Sequence, residues 1–192
     1  MKKYIEKKSK NGNLIQLEFN APDADNYLDE KGMLSDISLT CKSGFWNKTK
    51  WNVKFLNQTT PGQPWNGFEL ISVSDSDLYV GIGDTIRRIN LEEGSILNEF
   101  KYTDGAVLNI RKHKNGHLIE YSWCDMNSKT AENLICSDFE GNVIWKFPRQ
   151  SDSSVVTGFE IKGHNAIVWT FDCFRHEVDL ITGEISKSEW TK

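Results

Sequence analysis

Residues 136–143 read Cys-Ser-Asp-Phe-Glu-Gly-Asn-Val, and the same frame recurs at two other places in the chain. Residues 178–185 read Val-Asp-Leu-Ile-Thr-Gly-Glu-Ile, and residues 89–96 read Ile-Asn-Leu-Glu-Glu-Gly-Ser-Ile. Each copy has an apolar residue, a short polar one, a glycine four positions after it and a β-branched residue two further on. The three glycines are roughly 40 to 50 residues apart, which is the period of a propeller blade or a similar β-repeat.

The rest of the chain has the two-residue period of β-strands. Apolar and polar residues alternate at 15–19, 37–41, 51–55 and 119–123, as expected for half-buried strands. Dipeptides such as Asn115-Gly116 supply the positive φ angles that tight hairpin turns need. The pattern predicts about fifteen strands and an all-β class.

Three units of four strands follow from the spacing of these signals, at residues 67–102, 105–150 and 155–192. Residues 1–66 supply three or four more strands without a clean copy of the motif, as terminal repeats often do. We therefore predict a single all-β domain over residues 1–192, built as a propeller-like array of about four four-stranded antiparallel units. A β-sandwich is the alternative.

One of these segments resembles a known repeat. Residues 134–147 read Leu-Ile-Cys-Ser-Asp-Phe-Glu-Gly-Asn-Val-Ile-Trp-Lys-Phe, which is similar to the repeat of quinoprotein-type β-propellers. In that repeat a strand leads through Asp-x-x-Gly into a second strand that ends in Trp-Lys-Phe. The resemblance covers about two-thirds of the chain and implies a propeller-like fold. It implies no quinone chemistry, since those enzymes need about eight blades, calcium ligands and a cofactor pocket.

Charge and cysteine content narrow the class of partner. The net charge is −4; residues 1–66 hold ten basic and seven acidic side chains, and residues 67–192 hold thirteen basic and twenty acidic ones. Nucleic-acid binding normally requires the opposite excess, so an acidic body favours a basic protein partner. We expect no membrane-spanning segment, since no apolar run is long enough, and no secretory signal, since no apolar stretch follows the basic residues at the start. We expect a cytoplasmic protein with reduced thiols.

Histidine and cysteine are the residues most able to carry catalysis. His117 and His176 share strand parity with apolar neighbours, so we expect both on packed faces, hydrogen-bonded to backbone groups. His113 and His164 lie beside turns and are expected to be exposed. No Cys-x-x-Cys pair exists to hold zinc, and nothing local activates a thiol for a Cys–His pair. We therefore expect no metal, no cofactor and no enzymatic activity.

The functional hypothesis is a binding module, in its most concrete form a cytosolic immunity protein that neutralises a basic toxin domain, such as a nuclease. Acidic loops would steer the partner electrostatically, and tryptophans on loops would anchor it. The candidate partner-binding residues are Asp23, Asp25, Asp29, Glu30, Asp75, Asp77, Trp46 and Trp65. The alternatives are a carboxylate-dependent hydrolase acting on glycans and a scaffold that binds a ligand or peptide. The sequence leaves the oligomeric state open.

Overall fold

The described residues form β-strands, most of them joined by short turns. The structure, a computed structural model, describes residues 2–20, 32–44, 48–56, 58–60, 69–122, 132–149, 151 and 153–191. These residues form seventeen strands and no helix. The strands are β1 Lys2–Lys8, β2 Leu14–Asn20, β3 Gly32–Lys42, β4 Thr49–Lys54, β5 Gln58–Thr60, β6 Ile71–Val73, β7 Asp77–Ile82, β8 Thr85–Asn90, β9 Ile96–Phe100, β10 Val107–His113, β11 Gly116–Tyr121, β12 Leu134–Asp138, β13 Val143–Lys146, β14 Val156–Lys162, β15 Asn165–Thr170, β16 Phe174–Asp179 and β17 Ile185–Trp190.

The strands form four antiparallel meanders. The first sheet has the order β1-β2-β3-β4, with the short β5 paired to the beginning of the long β3. The second, third and fourth sheets have the orders β6-β7-β8-β9, β10-β11-β12-β13 and β14-β15-β16-β17. Most consecutive strands of a sheet are joined by only a few residues, which favours antiparallel pairing between neighbours in the chain. The predicted all-β array of about four four-stranded units is confirmed.

The repeated turn is built slightly differently from the frame read in the sequence. In the third sheet the polar turn residue is Asp138, whose Oδ1 accepts hydrogen bonds from backbone N–H groups two and four residues on. Asp179 and Asn90 fill the same role in the other two copies. The sequence frame placed Ser137 there, so that copy is displaced by one residue. Its glycine, Gly141, follows by three positions instead of four.

The turn glycines also join neighbouring sheets. Trp51 of the first sheet packs on Gly94 of the second, and Trp145 of the third packs on Gly183 of the fourth. Each indole N–H donates to the carbonyl oxygen three residues before that glycine, at 2.9 and 3.1 Å. A Cβ at Gly183 would lie 2.6 Å from the indole, and its φ of 75° is in the left-handed region that favours glycine. The turn therefore serves as the docking point between sheets.

The core lies between the sheets, in two clusters of buried apolar side chains. One cluster joins the first, second and third sheets, and the other joins the third and fourth. The central strands β7 and β11 are buried at all six of their positions. Within the described ranges there is no helix long and apolar enough to span a lipid bilayer.

Candidate functional site

Two of the eight predicted partner-binding residues lie in the described part of the chain, and they have different surroundings. Asp75 is exposed and forms an ion pair with Lys10 of the first sheet at 2.7 Å. A hydrogen bond from Lys10 lowers its pKa. Asp77 is buried; its Oδ2 accepts a hydrogen bond from Nε of Arg88 at 2.8 Å, and Nη2 of Arg88 lies 2.8 Å from the same oxygen. The carboxylate of Asp77 thus has a partner inside the protein.

The other six predicted residues lie outside the described residues: Asp23, Asp25, Asp29, Glu30, Trp46 and Trp65.

Three of the four histidines lie as the sequence predicted, with His164 exposed, and His113 is more buried than predicted. His117 and His176 are buried as predicted, but their partners are the hydroxyl groups of Ser72 and Ser188, at 3.1 and 2.9 Å, instead of backbone groups. Burial lowers the pKa of His117 to about 3. His113 was predicted to be exposed and is buried, because the last residue of β10 still faces the neighbouring sheet.

His113 brings a thiol and an imidazole together. Its Nε2 lies 3.3 Å from Sγ of Cys136, which is fully buried and also contacts the carbonyl oxygen of Leu180 at 3.7 Å. Burial raises the pKa of the thiol to about 12 and lowers that of His113. A protonated thiol is a poor nucleophile, so this pair contributes packing and hydrogen bonding to the joint between the third and fourth sheets.

A small cavity opens beside the turn between β15 and β16, where the fourth sheet meets the third. Its volume is about 110 Å³. We call it the aromatic–acidic pocket; the residues that line it are Phe147, Pro148, Ser154, Asp172, Phe174, His176 and Ser188. The imidazole of His176 stacks on the ring of Phe174, with ring centroids 5.9 Å apart. The centroid of the Phe147 ring lies 5.3 Å from that of the imidazole. Apolar walls therefore surround a small set of polar groups.

Asp172 is the charged group of this pocket. Its Oδ1 accepts from the hydroxyl of Thr170 at 2.5 Å, and its Oδ2 accepts from that of Ser154 at 2.8 Å. Burial by itself would raise the pKa of Asp172, but these hydrogen bonds outweigh it and the pKa is lowered. The carboxylate is therefore ionised at neutral pH, held in one orientation against aromatic rings.

Large aromatic side chains are exposed around the pocket. Trp190 lies directly across the ladder from Phe174, and Phe171 is in the same turn as Asp172. Their exposed fractions are 61% for Trp190, 60% for Phe171 and 37% for Phe174. Exposed aromatic groups of this kind mark interaction surfaces. The next residue in the turn, Cys173, has φ 64°, a strained angle for a non-glycine residue, and such strain concentrates at functional sites.

This pocket was not among the sites predicted from the sequence. His176 was expected only to lie on a packed strand face, and Phe171, Asp172, Phe174 and Trp190 were not candidates. One signal was present in the sequence, since the residues from 171 to 174 form a hairpin turn with two phenylalanines and no glycine. Turns normally contain Gly, Asn, Asp, Pro or Ser, so aromatic residues there suggest a role other than closing the hairpin.

The four-sheet array is similar to β-propellers of known structure. The β-propeller domain of Cps50 (Swd1) from Myceliophteria thermophila matches 99% of this chain with 57% of its own, at a TM-score of 0.65 and 12% identity. BamB from Moraxella catarrhalis matches 99% of this chain with 52% of its own, at a TM-score of 0.54 and 12% sequence identity. A europium-containing methanol dehydrogenase matches 91% of this chain with 40% of its own, at a TM-score of 0.58 and 9% sequence identity.

These matches support the propeller-like repeats, and at such low identity they show the fold alone. The chain spans about half the length of these propellers. No protein-family model matches the sequence, and the search of curated proteins found no match.

Proposed function

We propose that this chain is a non-catalytic binding module, and that it binds a basic segment of a protein partner at the aromatic–acidic pocket. The observation that carries the proposal is the ionised Asp172 set among aromatic rings. A lysine or arginine side chain would pair with this carboxylate while its aliphatic stem packs on the rings, with a cation–π contribution. Trp190 and Phe171 would anchor the residues on either side.

The size of the pocket supports a single side chain as its occupant. At about 110 Å³ it is smaller than the cavities of about 300–1,000 Å³ that hold metabolites or drug-sized ligands. The charge of the surrounding chain also favours a cationic partner, because residues 67–192 carry twenty acidic and thirteen basic side chains. An excess of negative charge accelerates the encounter with a basic partner.

The hydrogen bonds of the pocket favour binding over catalysis. His176 and Ser188 form a pair like the base and nucleophile of a hydrolase. However, both oxygens of Asp172 accept from hydroxyl groups, and no hydrogen bond in the described residues joins that carboxylate to His176. A catalytic histidine needs such an orienting partner. The serine and histidine are thus a cross-strand pair in the pocket wall.

The narrower form of the proposal is a cytoplasmic immunity protein whose partner is a basic toxin domain. The negative charge, the small size and a pocket that suits a cationic side chain support it. Co-expression with the product of the adjacent gene tests it. If the narrower form is right, the two proteins co-purify in a fixed ratio, the host is protected from the toxin, and Asp172→Asn reduces both effects.

The broader proposal is tested with synthetic peptides. Fluorescence polarisation would measure the binding of labelled peptides that carry lysine or arginine flanked by leucine or tryptophan, with acidic peptides of the same length as the comparison. We expect binding to the basic peptides alone. Asp172→Asn should weaken it about ten-fold, since a charge-assisted contact is lost, and Trp190→Ala should weaken it by a similar factor.

Asp75→Asn is the matched control, because it removes the same charge from an exposed loop of the second sheet. Its affinity should stay within about two-fold of wild type, as expected for an exposed charge. Equal weakening by Asp75→Asn and Asp172→Asn would locate binding on the acidic surface in general. An unchanged affinity in Asp172→Asn would refute the proposed site.

A further inference from the structure

A second and larger cavity lies where the innermost strands of the four sheets come together. Its volume is about 340 Å³, within the range of sites for small ligands. We call it the central channel; the described residues that line it are Lys7, Glu69, Ser72, Val73, Ile110, Arg111, Lys112 and Ile161. They come from β1, from β6 and the residues before it, from β10 and from β14. Each sheet thus supplies part of the wall.

The charge of the channel is positive, although the protein as a whole is acidic. Of the three cationic lining residues, Lys7 and Arg111 face the carboxylate of Glu69, whereas Nζ of Lys112 lies over the ring of Phe139, 5.4 Å from its centroid. Nζ of Lys7 is 3.9 Å from Oε2 of Glu69, and Nε of Arg111 is 3.3 Å from the same oxygen. Two positive charges remain in excess among the lining residues. A concave site whose lining carries an excess of one charge raises the local concentration of ions of the opposite charge.

The guanidinium group of Arg111 is positioned to donate hydrogen bonds to an acceptor in the channel. Its guanidinium group lies over the ring of Phe159, 5.5 Å from the centroid, which fixes the plane of the fork. Nε is buried and, among the described residues, has no hydrogen-bond partner, because Glu69 approaches it outside hydrogen-bond geometry. A buried donor without an acceptor is costly, and a second acceptor in the channel would remove that cost.

Ser72 adds a hydroxyl group to the wall. Its Oγ is paired with Nε2 of His117 at 3.1 Å. Burial lowers the pKa of His117 to about 3, so the ring is neutral at physiological pH. In the tautomer with the proton on Nε2, the imidazole donates to Ser72 and leaves the hydroxyl hydrogen free for an acceptor in the channel. The site can therefore combine cationic and neutral donors.

We infer that the central channel binds a small dianion, either a phosphate monoester or a dicarboxylate. The arginine fork matches the paired oxygens of either group, and the net positive charge of the lining residues attracts an anion. Val73, Ile110 and Ile161 provide apolar walls for a short carbon skeleton. This binding is independent of the aromatic–acidic pocket and of its protein partner.

Isothermal titration calorimetry with three probes tests the inference. The probes are glycerol phosphate, succinate and uncharged glycerol. We expect saturable binding of at least one anion, with the phosphate or the dicarboxylate identified by whichever binds more tightly, and no binding of glycerol. Raising the salt concentration should weaken binding, because the attraction is mainly between charges. Failure of both anions to bind at low salt would overturn the inference.

Two substitutions move the affinity in opposite directions. Arg111→Gln should weaken binding by about ten-fold or more, from the loss of a charge-assisted bidentate contact. Glu69→Gln should tighten it several-fold, because the carboxylate that competes with the ligand for Lys7 and Arg111 is neutralised. A variant that merely misfolds cannot bind more tightly, so this gain separates a binding role from a structural one.

Arg175→Gln is the matched control, since it removes an arginine that is ion-paired with Glu189 on the outer face of the fourth sheet. Its affinity for the anion should equal that of the wild type. An Arg111→Gln affinity equal to that of Arg175→Gln, or a Glu69→Gln variant that binds more weakly than wild type, would refute the channel as the site.

Discussion

The second and third sheets differ from the first and fourth in how their strands are buried. The central strands β7 and β11 of the inner pair are buried at every position. In the outer pair, β2 and β16 alternate between buried and partly exposed positions. The inner sheets have a neighbouring sheet on each face, whereas each outer sheet packs on one.

The exposed faces of the outer sheets are covered by polar side chains that bond to one another. On the first sheet Gln16 donates to Glu6 and accepts from Lys42. On the fourth sheet Arg175 pairs with Glu189, and Asn165 donates to Glu177. End units of repeat arrays need such polar faces to avoid exposing apolar surface. Both proposed sites therefore lie away from the end faces, one in the channel and one at a turn.

The difference in burial between the inner and outer sheets should be clearest when adjacent residues of one strand are replaced by alanine. In β11, Leu118→Ala and Ile119→Ala should each reduce the free energy of unfolding by about 2–5 kcal/mol, because neighbouring residues on a strand point to opposite faces and both faces are packed. In β2, Leu17→Ala should cost about as much, but Gln16→Ala should stay within about 0.5 kcal/mol. Chemical denaturation measures all four. A Leu118–Ile119 difference as large as the Leu17–Gln16 difference would contradict the two-sided burial.

Ion pairs should show the same contrast with a smaller effect. Asp77 is buried with Arg88, which also contacts Glu140 of the third sheet, so Asp77→Asn should cost about 2–4 kcal/mol by leaving a partly buried cation with one partner. Asp75→Asn breaks only the exposed pair with Lys10 and should leave the stability almost unchanged. Thermal and chemical unfolding of Asp77→Asn and Asp75→Asn would measure the two losses of stability. Equal destabilisation would mean that burial does not separate these two carboxylates.

Two buried titratable groups of β11, Glu120 and His117, make the stability depend on pH. Burial raises the pKa of Glu120 to about 7, so the folded state keeps a proton that the unfolded state releases above about pH 4.5, and this stabilisation is lost as the pH rises through 7. The free energy of unfolding of Glu120→Gln, measured relative to that of wild type, should rise by about 2 kcal/mol from pH 5 to pH 8. Denaturant titrations at the two pH values test it, and a pH-independent difference would refute it.

His117 acts in the opposite direction. Its folded-state pKa of about 3 is below the ordinary value, so the unfolded state takes up a proton first as the pH falls below about 6.5, and the protein loses stability. His117→Gln should therefore gain stability relative to wild type between pH 6.5 and pH 4. The same denaturant titrations would detect this. If His117→Gln instead gained stability relative to wild type as the pH rises from 4 to 6.5, the imidazole of His117 would not be buried and neutral.

Much of the architecture could be predicted from the sequence because it depends on local signals. Strand alternation and turn dipeptides act over two to four residues, and the three units at 67–102, 105–150 and 155–192 contain the second, third and fourth sheets. The turn frame was misread at Ser137, since the hydrogen bonds that identify Asp138 as the turn residue are visible only in the folded chain.

The candidate sites could not be predicted in the same way. Asp75 and Asp77 look alike in the sequence, and only the position of Arg88 on the next strand makes one of them a buried partner. The aromatic–acidic pocket joins Phe147 and Ser154 to residues from two later strands. Local patterns contain no information about which distant strands become neighbours.

The sequence by itself determined that this chain forms short antiparallel strands in repeated units, because side-chain alternation and turn chemistry are properties of adjacent residues. Only the tertiary structure decided which faces of those units are buried and which groups share a cavity. Lys7, Glu69, Arg111 and Ile161 line one channel although more than 150 positions separate the first from the last. They meet because each sheet packs on the next, and that packing brings the innermost strands together.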